Sequence, residues 1–473
     1  MTTQCNESSF HFQPLGNREV VARFDGGNIT SDAGGLLLRK VEQRTGILRQ
    51  FAACFEDRRK PELIEHTVKE LVAQRVYGLA LGYEDLNDHD QLRTDPLLAV
   101  LAGKADPQGE RRLHERDRGK ALAGKSTLNR LERTPPQPTP KQARYKKIVL
   151  DTQAVDQLLV DLFVQAHARA PEQILLDLDA TDDRIHGHQE GRFYHGYYGD
   201  YCYLPLYIFC GEFLLCARLR KSDTDASAGT VEELKRILGQ LHRIWPTVPI
   251  LLRADSGFCR DEIMSWCEEQ HLDYVFGLAK NDRLKAEIAD ELAAAAAEYE
   301  QTQKAARVFK DFRYRTRDSW TRERRVVGKA EHLDKGANPR FVVTSIASER
   351  MDARALYEDL YCARGEMENR IKEQQLDLFA DRTSTAEMRS NQIRLYFSSI
   401  AYVLLESLRR LGLKGTEMER AQCGTIRLKL LKIGAQIRVT VRKIWISLAQ
   451  GYAYPSTFTQ VFANLEEAKV PSS

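Results

Sequence analysis

Apolar and polar positions recur with two different periods along the chain, and the change of period divides it. Asp32 to Leu48 and Lys60 to Leu79 carry apolar residues at the three-to-four spacing of an amphipathic helix, and Asp95 to Leu101 begins a third helix. Ser126-Thr127 fits an N-cap for LNRLER, a proline-rich break follows at Thr134 to Pro140, and Lys141 to Ala168 reads as a helix entering the next unit. Residues 1–165 are therefore expected to be a helical region. From Gln173 the period becomes two: ILLDLDAT reads as a buried strand, Tyr201 to Arg220 as a hairpin turning at Gly211-Glu212, and Gly229 to Trp245 as a helix. The strand VPILLRAD, a helix over Arg260 to Gln270 and the strand LDYVFGLAK follow.

Strand, hairpin, helix, strand, helix, strand, with acids at the ends of the first and fourth strands, is the order of an RNase H-like α/β domain. That core is expected over 166–450. After an alanine-rich helix around Leu284 to Tyr299, Arg307 to Ile346 alternates as β-hairpins do, which predicts a β-rich insertion over 300–350. Asp255 and Glu368 are 113 positions apart, too many for a compact connection, and the insertion accounts for the distance. Helix resumes at Asp352, continues to an apolar helix at Ile393 to Leu411, and gives way to a basic segment over 424–473.

Charge sharpens this division. The net charge of +3 is bland, but Leu101 to Leu150 holds thirteen Lys/Arg against five Asp/Glu, and Gly424 to Gln450 six basic residues against none acidic. Arg307 to Ala330 holds nine against three. Such blocks favour a polyanion, whose phosphates Lys and Arg neutralise with release of counterions; a solvated face is the alternative for any one block. DNA binding is thus the most economical role for the N-terminal region, with Lys125 and Arg130 as candidate contacts. The nine cysteines, Cys5 among them, form no Cys-x-x-Cys pair, which argues against a disulfide framework or a zinc knuckle. The opening MTTQCNESSF lacks a basic region ahead of an apolar run, and no stretch of about 18 apolar residues occurs, so a cytoplasmic protein with no membrane span is expected.

Candidate chemistry rests on three acids. Asp179 ends the first strand, with Asp177 on its face by period two and Asp182 and Asp183 as competitors beyond the strand end. Asp255 is the one acid ending VPILLRAD, and Ser256-Gly257 turns the chain away; an Asp serving only as a cap is the alternative. Tyr361, Arg364, Glu368 and Lys372 fall within a stripe about 80° wide on a helix, whereas Glu366 points roughly 160° from Glu368. A salt-bridged surface helix would carry the same residues. Acids from two strand ends and a helix suit two Mg²⁺ ions, which take hard oxygen ligands and stabilise the attacking and leaving oxygens of phosphodiester chemistry.

With YCARGEME fitting Tyr-x2-Arg-x3-Glu, the chain resembles the DDE transposases of bacterial insertion sequences, in the branch with a β insertion between the second Asp and the Glu. FDGGNITSDAGG, LDLDATDD with HGHQEG, YCYLPL and RADSGF are similar to the insertion-sequence 1380 group in particular, over nearly the whole chain. The resemblance implies cut-and-paste transposition, with Asp179, Asp255 and Glu368 as the metal-binding catalytic triad and Mg²⁺, replaceable by Mn²⁺, as cofactor. It also implies that Tyr361, Arg364 and Lys372 hold DNA phosphates, that Trp320 stacks a flipped base, and that a homodimer pairs terminal inverted repeats with target DNA. The wider signature has Lys seven residues after Glu, where this chain has Gln375. A catalytically inactive DNA-binding relative and a plain RNase H-like endonuclease remain the alternatives.

Three other motifs are set aside. GKALAGKS at Gly119 to Ser126 matches a phosphate-binding loop by letter, but GERRLHERDR precedes it where a buried strand is required. His186 and His188 have no third ligand at metal spacing, and RADSGF lacks the elbow of a serine hydrolase.

Overall fold

The computed structural model describes residues 9–468; Cys5 and the last five positions of the basic 424–473 segment lie outside them. Two compact units result, one running to Val149 and including Ser407–Ala468, the other spanning Leu150–Glu406. Among the described residues no helix is long and apolar enough to cross a membrane.

The first unit is helical in its middle and opens on a hairpin, Phe10–Leu15 with Arg18–Ala22, which the expected helical region over 1–165 did not include. The helix expected over Asp32 to Leu48 breaks at Gly46, whose φ of +66° is left-handed, into Gly35–Thr45 and Ile47–Ala53. Val68–Ala80 starts eight residues later than Lys60, because Pro61 sits in a short 3₁₀ turn and Thr67 with Glu70 forms a capping box. The basic 424–450 stretch supplies a hairpin, Ala435–Val439 with Ile444–Leu448, that pairs with Ile29–Thr30.

The second unit is a large mixed sheet covered by helices. Thr152–Gln165 (α1) enters it. The expected helix from Lys141 is shorter because Ile148–Leu150 is extended and Asp151 caps the amides of Gln153 and Ala154. Ile174–Ala180 (β1) is followed by the hairpin Leu206–Cys210 (β2) and Phe213–Arg218 (β3), turning over Gly211 and Glu212 as the sequence predicts. Thr230–Ile244 (α2), Ile250–Ala254 (β4), Asp261–Glu269 (α3) and Asp273–Leu278 (β5) come next. After Ala289–Thr302 (α4), the strands Ala306–Tyr314 (β6), Arg324–Leu333 (β7) and Arg340–Thr344 (β8) complete the sheet.

Its order is β3-β2-β1-β4-β5-β8-β7-β6, with β1 antiparallel to β2 and parallel to β4, and β4 parallel to β5. This mixed sheet is consistent with an RNase H-like fold. The strands of the β-rich 300–350 segment join the central sheet itself. β8 pairs antiparallel with β5, Val275 opposite Thr344, and β6 and β7 extend the same sheet.

Period two sorts the central strands into two faces. Ile174, Leu176 and Leu178 of β1, with Leu252 of β4 and Phe276 of β5, are buried in the core that α1, α2 and α3 cover. On the opposite face Leu251, Val275 and Val342 pack against Leu356 and Tyr357 of the later helical arm. Both faces are covered, as strands with near-continuous apolar runs require. The face bearing the arm also bears Asp177, Asp179, Arg253 and Asp255.

Candidate active site

Parallel register places the two strand-end acids side by side. Leu178 of β1 lies opposite Ala254 of β4, and Asp179 and Asp255 follow these residues by one position. The Asp179 carboxylate accepts from the Ala180 amide at 2.9 Å and the Asp255 carboxylate from the Gly257 amide at 2.8 Å, each fixed by its own turn. Two residues earlier on the same strands, Asp177 and Arg253 are also in register. Arg253 forks onto Asp177, Nε and Nη2 donating at 2.6 and 2.8 Å, while Nη1 donates to the Leu360 carbonyl at 2.6 Å. Both side chains are buried, so this ion pair forms a floor that joins β1 and β4 to the helical arm.

The arm is not one regular helix. Leu356–Tyr361 is a π-helical turn, Cys362–Arg364 a 3₁₀ turn, Gly365–Lys372 (α5) regular helix, and Glu373–Asp377 a second π turn. Such bulges shift the phase of every residue beyond them. Glu368 still faces Arg364, whose Nη2 lies 3.0 Å from Glu368 Oε1 and whose Nη1 lies 3.7 Å from Asp179 Oδ2. Arg364 thus bridges the helix acid and the strand acid. Tyr361 reaches the same place: a Cβ on Gly277 would meet its hydroxyl at 2.5 Å, so the ring lies over bare backbone that only glycine provides.

Electrostatics reports the crowding. Burial, with the charges of Asp255 and Glu368 adding and Arg364 opposing, pushes the Asp179 carboxyl up to about 7. Burial also raises Asp177 in spite of its Arg253 fork, and raises the Tyr361 hydroxyl. Among the described residues no group of three or more His, Cys, Asp or Glu is placed to hold one metal ion, because Glu368 is turned to Arg364. The donors nevertheless fit a hard divalent cation. Mg²⁺ takes one or two carboxylates, Asp179 and Asp255 stand next to each other, and a cation would offset the burial and repulsion that raise Asp179.

The structure therefore brings together Asp179, Asp255, Glu368, Arg364 and Tyr361. Lys372 is exposed and, among the described residues, pairs with none of the three acids. Trp320 is corrected: at 4% exposure it is packed in the core, edge-on to Tyr314 at 5.8 Å with the Arg324 guanidinium 5.6 Å from its ring, and presents no face to a base. In the first unit Lys125 pairs with Asp90 at 3.3 Å and Arg130 lies 5.9 Å from the Tyr145 ring. The helix there begins at Lys125 after Gly124 with no side-chain cap, so Ser126-Thr127 lies inside it.

Two features escaped the sequence reading. The Asp177–Arg253 floor was signalled only by the matching offset, each residue two positions before a strand-end acid. Gln375, seven residues after Glu368, donates to Asp183 Oδ1 at 2.9 Å and to the Asp182 carbonyl at 3.1 Å. Burial pushes the Asp183 carboxyl up to about 8, and the amide donated by Gln375 opposes that rise.

The family described as Transposase DDE domain group 1 matches residues 12–470. Among solved structures, the chain is similar to a cryo-EM structure of a piggyBac transposase synaptic complex with hairpin DNA. The identity is 12%, the match covers 85% of this chain and 80% of that one, and the TM-score is 0.40. Among curated proteins none matches.

Proposed function

The chain belongs to the family of transposase DDE domains, group 1, and on that premise we propose that it catalyses cut-and-paste DNA transposition. It hydrolyses phosphodiester bonds at transposon ends and joins the freed 3′ hydroxyl to target DNA, as in the insertion-sequence 1380 group of bacteria. The observation that carries this reading is the juxtaposition of Asp179 and Asp255 at neighbouring parallel strand ends, with Arg364 linking Asp179 to Glu368.

Asp179, Asp255 and Glu368 would hold the divalent ions, Mg²⁺ or Mn²⁺. When bound, these ions supply Lewis-acid stabilisation of the attacking and leaving oxygens. The residues do the rest. Asp179 must be ionised to serve, and its raised pKa falls as positive charge arrives. Arg364, released from Glu368, has a planar fork able to grip a phosphate bidentately, and Tyr361 can donate its hydroxyl to the same phosphate. Lys372 approaches the backbone only as an exposed point charge. The Asp177–Arg253 floor keeps the two strand ends and the arm in place. In the first unit, Lys125, Arg130 and the basic 424–450 stretch grip the duplex through its phosphates, and a homodimer pairs the two terminal inverted repeats.

A joining assay tests this reading. The protein is incubated with Mg²⁺, duplex DNA carrying the element's own ends and a supercoiled target. Transposition predicts excised ends and covalently joined products. Cleavage without joining would point to a plain endonuclease, and tight binding with neither product to an inactive relative.

A further inference from the structure

Between β1 and β2 the chain builds a three-stranded sheet of its own. Asp183–Arg184 and Phe193–His195 flank Asp200–Tyr203, and the four residues Gly196-Tyr197-Tyr198-Gly199 turn the hairpin. Gly199 holds a left-handed φ of +68°, and its amide donates to the His195 carbonyl at 2.8 Å. This fixes the tight tip that carries two adjacent tyrosines.

The two point to different places. Tyr198 turns inward, its hydroxyl donating to the carbonyl of Ala180, the residue after Asp179, at 3.3 Å. Tyr197 turns outward and is 87% exposed, with its ring edge-on to Tyr198 at a centroid distance of 5.0 Å. On the adjoining strands Tyr194 and Tyr201 lie directly opposite each other, edge-on at 5.6 Å, and are 59% and 40% exposed. The Arg192 guanidinium rests 3.8 Å from the Tyr201 ring and is held there by the Gly187 carbonyl at 2.7 Å. A cluster of exposed and part-exposed rings with a fixed cation is therefore anchored to the residue next to a candidate catalytic acid.

Solvent-exposed aromatic faces gathered in one place mark a binding surface. The chemistry beside them selects the ligand. A phosphodiester held at Asp179 brings its own nucleotides within reach, and a flat ring offers its face to a flat base. Bases inside a duplex have both faces covered by their neighbours, so the surface fits bases that have left the stack. Guanidinium over tyrosine adds a cationic plane of the kind single-stranded binding sites use.

We propose that the Tyr197 hairpin, with Tyr194, Tyr201 and Arg192, is a stacking platform for unpaired nucleotides next to the scissile phosphate. This rests on the transposase reading and adds to it where the strand lies once its base pairs are opened. It also gives the stacking role to residues other than the buried Trp320.

The test is binding of the full chain without divalent ions, so that no cleavage intervenes. One probe is a duplex with a single-stranded thymidine extension containing one 2-aminopurine, and the other is the same duplex with blunt ends. The parent should bind the extended probe more tightly than the blunt one and quench the 2-aminopurine. Tyr197→Ala should weaken binding of the extended probe by about 5- to 100-fold and lose the quenching, with blunt-duplex binding and melting temperature unchanged. Tyr197→Phe, which keeps the ring, should bind and quench as the parent does. Equal affinity and quenching in Tyr197→Ala, or a parent that does not prefer the extended probe, would overturn the platform and leave the transposase reading standing. A parent that binds neither probe would sink both.

Discussion

Two of the three candidate acids stand on strands and the third on a helix, and the supports fix a side chain in different ways. Asp179 and Asp255 take their separation from parallel backbone register and their orientation from the two-residue period, neither of which depends on neighbouring side chains. Glu368 takes its direction from rotation accumulated along an arm in which a π turn and a 3₁₀ turn precede it. The strand acids are set in place by the fold. The helix acid is set by an ion pair, at a position where its partner Arg364 serves both elements.

The contrast breaks most severely at the floor beneath the strand acids. Arg253→Ala leaves a buried Asp177 carboxylate without its fork, and loss of one partner of such a pair costs about 3–5 kcal/mol. Urea unfolding should show that loss, whereas Arg364→Ala, which empties a less buried bridge, should cost far less. Equal losses would mean that sheet and arm are tied to the same degree.

Next in size is the strain stored at Asp179. Its carboxyl titrates near 3.8 when unexposed to this environment and near 7 when folded. Below about pH 4 both states keep the proton and nothing is lost. As pH rises towards 7 the unfolded chain releases its proton first, so folded stability falls, by at most about 4 kcal/mol. Asp179→Asn should therefore melt higher than the parent at pH 8 and no higher at pH 4. A gain of the same size at both values would show that charge at Asp179 is not the cause.

The smallest effect sharpens the arm's side of the comparison. Gly277→Ala introduces a Cβ 2.5 Å from the Tyr361 hydroxyl and 3.0 Å from the Ser256 amide. Overpacking of this kind costs about 1–3 kcal/mol. Melting should drop by that amount and cleavage should fall with it, since Tyr361 is pushed off the site. Full activity at normal stability would remove Tyr361 from the phosphate grip.

This difference also explains what the sequence revealed. The strand ILLDLDA, the turn at Gly211-Glu212 and the acid after VPILLRA were legible because period two and turn chemistry are local. Alternation over Arg307 to Ile346 disclosed strands but not their destination. Pairing of Val275 with Thr344 joins residues 69 positions apart, and no local pattern encodes it. Trp320 was misplaced as well, since its packing against Tyr314 and Arg324 is a tertiary contact that no local pattern announces. On the arm, the stripe about 80° wide assumed a uniform helix. The i,i+4 contact of Arg364 with Glu368 survived because it spans little irregular backbone, while Lys372 joined no ion pair with the acids. Gly46, Pro61 and the Asp151 cap moved helix ends by several residues in the ways their chemistry dictates.

The most direct measurement is Mg²⁺-dependent cleavage of DNA carrying the element's own ends by the parent and by Asp179→Ala, Asp255→Ala and Glu368→Ala, with DNA binding followed in parallel. Losing a partner in a metal ligand's outer shell already costs about 10- to 100-fold, so each of these three variants should lose more than about 100-fold in cleavage while binding DNA as the parent does. Cleavage at the parental rate in any one of them would contradict the assignment of that acid to the catalytic site.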